Sequence, residues 1–199
     1  MIERENIEFV SGNLKCRGWF YRAYTRDKNS CIVMAHGFCG VKELRLDAYA
    51  EVFAESGYHV LVFDYRHFGE SEGEPRQILS ITKQHEDWHA AVRFARELPG
   101  VDPAKIILWG TSFSGGHVIP VAVRDGRIAA VISQVPHLDG LATAMQNSPA
   151  QNLRLGLAAW RDIIRMILGK SPYYVPAAGK PGDLAAMTAS DAEEGIQKL

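Results

Sequence analysis

Four apolar runs alternate with amphipathic segments over the first 135 residues, and this alternation restricts the fold more than any other feature. The first run, residues 31–35, is continuously apolar, and all four are typical of strands buried on both faces of a sheet. They cover residues 31–35, 59–65, 105–112 and 128–135, and helical periodicity covers 43–58, 78–100 and 114–126. Strands that alternate with helices form βαβ units with right-handed crossovers. The sequence therefore predicts an α/β fold with a mostly parallel sheet and helices on both of its faces.

The two ends of the chain have different patterns. Residues 6–12 and 14–23 carry partly alternating apolar side chains and predict two antiparallel strands joined at Gly12-Asn13. Beyond about residue 140 the sequence predicts one or two helices, followed by a tail rich in Pro, Gly and Ala. We therefore predict a core domain over residues 1–140 and a helical cap or lid with a linker over residues 141–199.

A polar or glycine-rich segment lies at the C-terminal end of each of the four apolar runs. The four segments read HGFCG, DYRHFGESEG, GTSFSGG and PHLDG. In parallel sheets of α/β proteins, functional residues gather at the carboxyl ends of the strands. The sequence thus predicts that these four segments form one site.

GTSFSGG is the segment most indicative of chemistry. A serine hydroxyl is a weak nucleophile unless it is held exposed and given a base, and a sharp strand-to-helix turn holds it exposed. Small residues must lie two positions away, and here these are Gly110 and Ser114. This predicts Ser112 as a nucleophile, with the N–H of Phe113 directed at a developing oxyanion. The alternative is a plain glycine-rich turn that binds phosphate, although neither a GxGxxG nor a P-loop lysine pattern is present.

HGFCG offers two further candidates for catalysis, His36 and Cys39. His36 lies at the strand end on the wrong side of Ser112 in chain order, so we expect it to brace its loop through hydrogen bonds. Cys39 has no base paired with it in the pattern, which argues against a thiolate nucleophile.

DYRHFGESEG contributes Asp64 and Arg66, which we expect to order the neighbouring loop. A contact of Arg66 or His67 with substrate stays open as the alternative. PHLDG contributes Asp139, which is either a weak candidate for a catalytic acid or, the interpretation we favour, the N-cap of the next helix. His117 lies one turn into the helix after Ser112, and we expect it to pack against the sheet or a loop.

These motifs, in this order and on these elements, resemble the α/β-hydrolase superfamily. They are most similar to its dienelactone-hydrolase and serine-aminopeptidase-like branch, which includes fungal relatives that move polyketide acyl groups. The resemblance covers about residues 6–140. It implies that Ser112 is the nucleophile, that Phe38 and Phe113 give the two oxyanion N–H groups, and that the segment from residue 141 is a helical cap.

The resemblance fails at the catalytic base. The family order is serine, acid, histidine, and no histidine follows His137. We also find no strand pattern after about residue 135. A serine-triad enzyme without its histidine loses most of its rate, roughly a factor of 10⁶ in subtilisin. We therefore expect a serine hydrolase or acyltransferase whose base is not found in this chain, so that the chain is either a fragment or has lost catalysis. The alternative is a non-catalytic binding or assembly protein with the same fold.

Composition limits the partners. The chain has 199 residues, 47% of them apolar, with a net charge of −1 and no basic run, which argues against nucleic acid. The N-terminus lacks the pattern of a signal peptide, no apolar stretch reaches the length of a membrane span, and the three cysteines lack metal-ligand spacing. We therefore expect a cytoplasmic protein that acts on a small-molecule acyl substrate without a metal or organic cofactor. An exposed sheet edge would favour a homo-oligomer.

Overall fold

The protein is described from a computed structural model, which covers residues 3–24 and 29–198. Contacts within the chain divide it into two compact units, Met1–Leu138 and Asp139–Leu199.

The first unit is an α/β unit built on a six-stranded sheet. In chain order its elements are β1 (Glu3–Ser11), β2 (Leu14–Arg22), β3 (Asn29–Ala35), α1 (Leu46–Glu55), β4 (His59–Phe63), α2 (Ile81–Glu97), β5 (Val101–Thr111), α3 (Phe113–Asp125) and β6 (Ala130–Gln134). The strand order is β1-β2-β4-β3-β5-β6. β1 and β2 form the antiparallel hairpin at Gly12-Asn13, and β2 is antiparallel to β4. The strands β3, β4, β5 and β6 are parallel. The mostly parallel α/β sheet is thereby confirmed.

Helices cover the two faces of the sheet because successive side chains of a strand point to opposite sides. On one face, Ile32 of β3 belongs to a buried cluster with Leu46 of α1. On the other face, Val33 belongs to a cluster with Trp88 of α2 and Val118 of α3. Both faces of the central strands are therefore dry, which explains why their sequences are continuously apolar.

The prediction that the fourth apolar run is buried on both faces is wrong. Val131 and Ile132 of β6 are 39% and 41% exposed. The physical reason is position, because β6 is the last strand in the sheet order and pairs only with β5 among the described residues. An apolar run alone does not distinguish an edge strand from a central one.

The second unit is mainly helical. It contains α4 (Gly140–Gln146), α5 (Pro149–Ile167) and α6 (Ala192–Gln197). Ser148 caps α5 by accepting a hydrogen bond from the Gln151 N–H at 3.2 Å. The Pro-, Gly- and Ala-rich tail has one isolated bridge, between Ala178 and Met187, before α6. Within residues 3–24 and 29–198, no helix has the length and apolar character that crossing a membrane requires.

Candidate active site

Ser112 occupies a backbone conformation that ordinary residues avoid. It follows β5 and precedes α3, with φ 55° and ψ −118°. Such a conformation costs an L-residue about 1–3 kcal/mol and persists only where surrounding contacts enforce it. Here the Ser112 N–H donates to the Gln134 carbonyl at 2.9 Å, and the Ser112 carbonyl accepts from the N–H of Gly116 and His137 at 3.2 and 2.9 Å. The main chain of Ser112 is thus fixed on both sides.

The neighbours of Ser112 are small because the turn leaves them no room. A Cβ on Gly110 would lie 2.4 Å from the Ser114 carbonyl oxygen. A Cβ on Gly115 would lie 2.8 Å from the Gln134 carbonyl oxygen, and one on Gly116 would lie 2.1 Å from the His137 carbonyl oxygen. These approaches are closer than a carbon atom tolerates. The glycines therefore allow α3 to pack directly against the end of β6.

The sharp strand-to-helix turn around a nucleophilic serine, here called the elbow, usually has the sequence G-x-S-x-G. Ser114 occupies the position of the second glycine, and its hydroxyl has a specific partner. Ser114 is fully buried, and its Oγ lies 2.7 Å from the Tyr65 hydroxyl. The Trp88 indole N–H donates to the same Tyr65 oxygen at 2.8 Å. The extra hydroxyl is thereby satisfied inside the core, and it links the elbow to the loop after β4. Sequence reasoning recognised Ser114 as small but had no signal for this partnership.

The hydroxyl of Ser112 has no hydrogen-bond partner in the described structure. In the described part of the chain, no side chain makes a hydrogen bond with Ser112 Oγ, and the side chain does not cap α3. Gly37, in the loop after β3, packs closely against Ser112, since a Cβ there would lie 3.1 Å from the Ser112 Cβ and 3.6 Å from its Oγ. Ser112 itself is partly exposed.

The two predicted oxyanion donors belong to the segments that flank Ser112. Phe113 is the first residue of α3, where backbone N–H groups have no helical acceptor and carry partial positive charge. Phe38 follows Gly37 directly, and the rings of Phe38 and Phe113 lie edge to face with centroids 6.0 Å apart. Neither backbone N–H has a hydrogen-bond acceptor among residues 3–24 and 29–198. Their role in binding an oxyanion stays a prediction.

His36 braces its loop, as the sequence indicated. Its Nδ1 donates to the Gly37 carbonyl at 3.0 Å, and the Gly40 N–H donates to the same oxygen at 3.2 Å. Burial lowers the pKa of His36, and the nearby Asp64 carboxylate only partly opposes this. The 3.8 Å contact of His36 Nε2 with Asp64 is accordingly a contact of a neutral ring rather than an ion pair.

Asp64 also has a partner that the sequence did not reveal, Lys42. The Lys42 side chain is fully buried, and its ammonium donates to Asp64 at 2.8 Å and to Glu43 and Glu70 at 2.6 and 2.7 Å. The Lys42 backbone N–H donates to Asp64 as well, at 2.8 Å. Burial lowers the pKa of Lys42, but these carboxylates outweigh it and raise the pKa to about 12. A lysine between acidic residues looks like a surface residue in sequence, yet it fixes the loop that carries Phe38.

Arg66 and His67 are structural, which disfavours the substrate contacts left open above. Arg66 is buried against the carboxylate of Asp87, which accepts from both its backbone N–H and its guanidinium. His67 is buried, and its Nδ1 donates to the Pro75 carbonyl at 3.0 Å.

His117 packs against α2, and its ring also lies edge to face with Tyr65 in the loop after β4, with centroids 6.3 Å apart, in agreement with the predicted loop contact. Its Nε2 lies 2.8 Å from the Gln84 side-chain carbonyl oxygen, which can only accept. His117 Nδ1 must then accept from His85 Nε2, 3.0 Å away. Burial, with smaller contributions from His85 and His137, lowers the pKa of His117 to about 4. Both ring nitrogens are engaged, so His117 does not serve Ser112 as a base.

Two further candidates are resolved structurally. Asp139 caps α4, because its Oδ1 accepts from the N–H groups of Leu141 and Ala142 at 2.8 and 3.0 Å. This is the interpretation favoured above, and its role as a catalytic acid stays a prediction. Cys39 is exposed, and desolvation of its sulfur raises the pKa of the thiol, which disfavours the thiolate.

The strand order of the sheet, the turn at Ser112 and the loop after β3 together define the class of this protein as the α/β hydrolases. The crystal structure of the alpha/beta hydrolase GrgF from Penicillium sp. sh18 superposes with a TM-score of 0.83 and 30% identity, over 99% of this chain and 66% of that one.

The family follows from the sequence comparisons. Residues 26–177 match the family described as serine aminopeptidase, S33, and the chain belongs to this family of α/β hydrolases. Among its relatives, the quorum-quenching protein AidA of Acinetobacter baumannii (strain MDR-ZJ06) is 48% identical over 98% of this chain and 64% of its own length. The polyketide transferase ATR5 of Stachybotrys chlorohalonatus (strain IBT 40285) is 34% identical over 92% of this chain and 59% of its own. The chain thus spans about three fifths of the length of these relatives.

Proposed function

We propose that this protein cleaves an ester or thioester through an acyl-enzyme on Ser112 and passes the acyl group to water or to an alcohol. The observation that carries the proposal is the strained Ser112, which is partly exposed and whose Oγ makes no hydrogen bond among the described residues. A hydroxyl kept in this conformation without a structural hydrogen bond is best explained by a reaction that uses it.

The reaction has two steps, acylation of Ser112 and transfer of the acyl group to water or an alcohol. A base takes the Ser112 proton while Oγ bonds to the acyl carbon, and the oxyanion accepts hydrogen bonds from the N–H groups of Phe38 and Phe113. The bond from the acyl carbon to the leaving oxygen or sulfur then breaks, and the base gives its proton to this atom, so that an alcohol or thiol departs. In the second step, water or an alcohol gives its proton to the base and bonds to the acyl carbon, and the base returns a proton to Ser112 Oγ as the acyl–Oγ bond breaks.

We place the base outside the residues that contact Ser112 in the described structure. All histidines of the chain lie at or before His137, and those at His36, His67 and His117 are hydrogen-bonded elsewhere. In the family order, the acid and the histidine follow the nucleophile. The proposal therefore assigns the base to no residue of the described structure.

Chemical rescue tests this proposal with the chain as it is. Added imidazole replaces the missing base while p-nitrophenyl esters and an acyl thioester are supplied, with and without butanol. We expect a saturable, imidazole-dependent rate at least roughly tenfold above that of Ser112→Ala, since catalysis without a triad member still retains the oxyanion hole. Ser56→Ala, an exposed serine on the C-terminal side of α1, is the matched control and keeps the rate.

The product distribution then separates hydrolysis from transfer, because butanol captures the acyl group as a butyl ester only if the acyl-enzyme accepts alcohols. Equal rates for the wild type and Ser112→Ala in folded protein would contradict the proposal. That result would favour a non-catalytic binding protein with the same fold.

A further inference from the structure

A cleft of about 810 Å³ lies on the first unit, where the outer surface of α2 meets the C-terminal part of α3. Its α2 side chains recur every three or four residues, so they share one helix face. Its basic lining residues are His85, His89, Arg93, Arg96, Arg124 and Arg127. Ser112, Phe38 and Phe113 do not line it, so the cleft is distinct from the candidate active site.

The two carboxylates of the cleft are already paired. Asp125 accepts two hydrogen bonds from the Arg96 guanidinium, at 2.6 and 2.9 Å, and these bonds lower the pKa of Asp125. Glu86 accepts from Arg66 at 2.7 Å. The acidic groups of the cleft therefore have little capacity left to neutralise its remaining arginines.

Three guanidinium groups of the cleft form no ion pair among the described residues, although Asp125 still attracts Arg127 and accepts from its backbone N–H at 3.1 Å. Within the described residues, no carboxylate lies at ion-pair distance from the side chains of Arg93, Arg124 or Arg127. Like charges that share one concave surface repel each other and raise the local concentration of anions. The arginines thus create a positive site in a chain whose net charge is −1.

His89 provides a second, independent observation. Its Nε2 is buried in the cleft wall and has no hydrogen-bond partner among the described groups. A buried polar atom without a partner is rare and costs about 1–3 kcal/mol. Burial and then the charge of Arg124 lower the pKa of His89, so the ring is neutral and the positive charge of the cleft resides on its arginines.

We propose that this cleft binds a small anion with two or more phosphate groups, held by Arg93, Arg124 and Arg127. The planar guanidinium fork matches the geometry of phosphate oxygens, and several such groups favour a multiply charged anion over a single carboxylate. The described lining residues contain no Phe, Tyr or Trp on which a base could stack. Recognition therefore rests on the phosphates, whether they belong to a free polyphosphate or to a nucleotide.

Titration calorimetry with sodium tripolyphosphate, pyrophosphate and ADP tests the proposal at low and at physiological salt. We expect tripolyphosphate to bind with 1:1 stoichiometry and more weakly at the higher salt. ADP should bind about as tightly as pyrophosphate. Arg93→Glu and Arg124→Glu should each weaken binding roughly tenfold or more, the loss expected for a charge-assisted hydrogen bond.

Two controls make the result specific. Lys170→Glu changes the net charge equally at an exposed position of the second unit and should leave binding within about twofold, as should Ser112→Ala. Far-UV circular dichroism checks that each variant is folded, and the His89 ring resonances should shift on binding.

The absence of binding at millimolar tripolyphosphate, or equal losses of affinity in Lys170→Glu and Arg124→Glu, would overturn the proposal. Binding of ADP without binding of pyrophosphate would also contradict it.

Discussion

The hydroxyl of Tyr65 lies 2.7 Å from the hydroxyl of Ser114, two residues beyond the candidate nucleophile, and it also accepts the indole N–H of Trp88. Three buried polar groups are satisfied by each other in this way. The elbow of this chain thus differs from the usual pattern by a serine, and the surrounding core contains the partner which that serine needs.

Removal of the Tyr65 hydroxyl should lower the free energy of unfolding more than removal of the Ser114 hydroxyl. Tyr65→Phe leaves both the Trp88 N–H and the Ser114 hydroxyl without a partner, and we expect it to lower the free energy of unfolding by about 2–4 kcal/mol. Ser114→Ala leaves the Trp88–Tyr65 bond intact and should cost about 1–2 kcal/mol. Urea unfolding of both variants and of the double variant measures the coupling, expected at about 1 kcal/mol. Strictly additive losses would show that the two hydroxyls do not interact.

The backbone strain at Ser112 predicts that glycine stabilises this position. Glycine adopts φ 55°, ψ −118° without steric penalty, and Ser112 makes no capping hydrogen bond that the substitution could remove. We expect Ser112→Gly to raise the free energy of unfolding by about 1 kcal/mol, net of the entropy that glycine loses. Ser112→Ala retains the strain and should give no such gain. A loss of stability in Ser112→Gly, measured by urea unfolding, would argue against strain.

The tight contact of Gly116 predicts a large and position-specific cost. A Cβ there would meet the His137 carbonyl oxygen at 2.1 Å, so Gly116→Ala must displace α3 from the segment that follows β6. We expect a loss of about 3 kcal/mol, in the upper range for overpacking. Gly156→Ala is the matched control, because among the described residues no atom outside the neighbouring backbone of α5 lies within 4 Å of a Cβ at that position. The control should be neutral or stabilising by up to about 1 kcal/mol, and similar losses in thermal unfolding of both variants would contradict this account.

His117 should make the fold sensitive to acid. Its pKa is lowered to about 4 in the folded state, whereas an unfolded histidine titrates near 6.5. At neutral pH both states hold a neutral ring, so there is no contribution. As the pH falls from about 6.5 towards 4, only the unfolded state takes up the proton, and stability is lost by up to about 3 kcal/mol.

The variant His117→Gln lacks this titration. The difference in free energy of unfolding between the wild type and His117→Gln should therefore shift against the wild type between pH 7 and pH 4.5. Urea unfolding at the two pH values measures it, and a difference that does not change with pH would show that His117 is not held neutral by burial.

Local patterns were sufficient to predict the hairpin at Gly12-Asn13, the central strands and the turn at Ser112, because those features are set by short-range chemistry. Partners distant in sequence were not predictable. Nothing in the amino-acid sequence around Lys42 indicates that its ammonium is buried against Asp64, 22 residues away. Likewise, Val131 and Ile132 have the composition of a central strand, and only the sheet order shows that they lie at an edge.

The central claim is that Ser112 is a nucleophile, and covalent labelling tests it most directly. Folded protein is treated with a fluorophosphonate probe, with and without imidazole, and the adduct is located by peptide mass spectrometry. We predict a single phosphonyl adduct on Ser112 that forms faster with imidazole and is absent from Ser112→Ala. No adduct on folded protein in the presence of imidazole, or an adduct on another serine instead, would contradict the account.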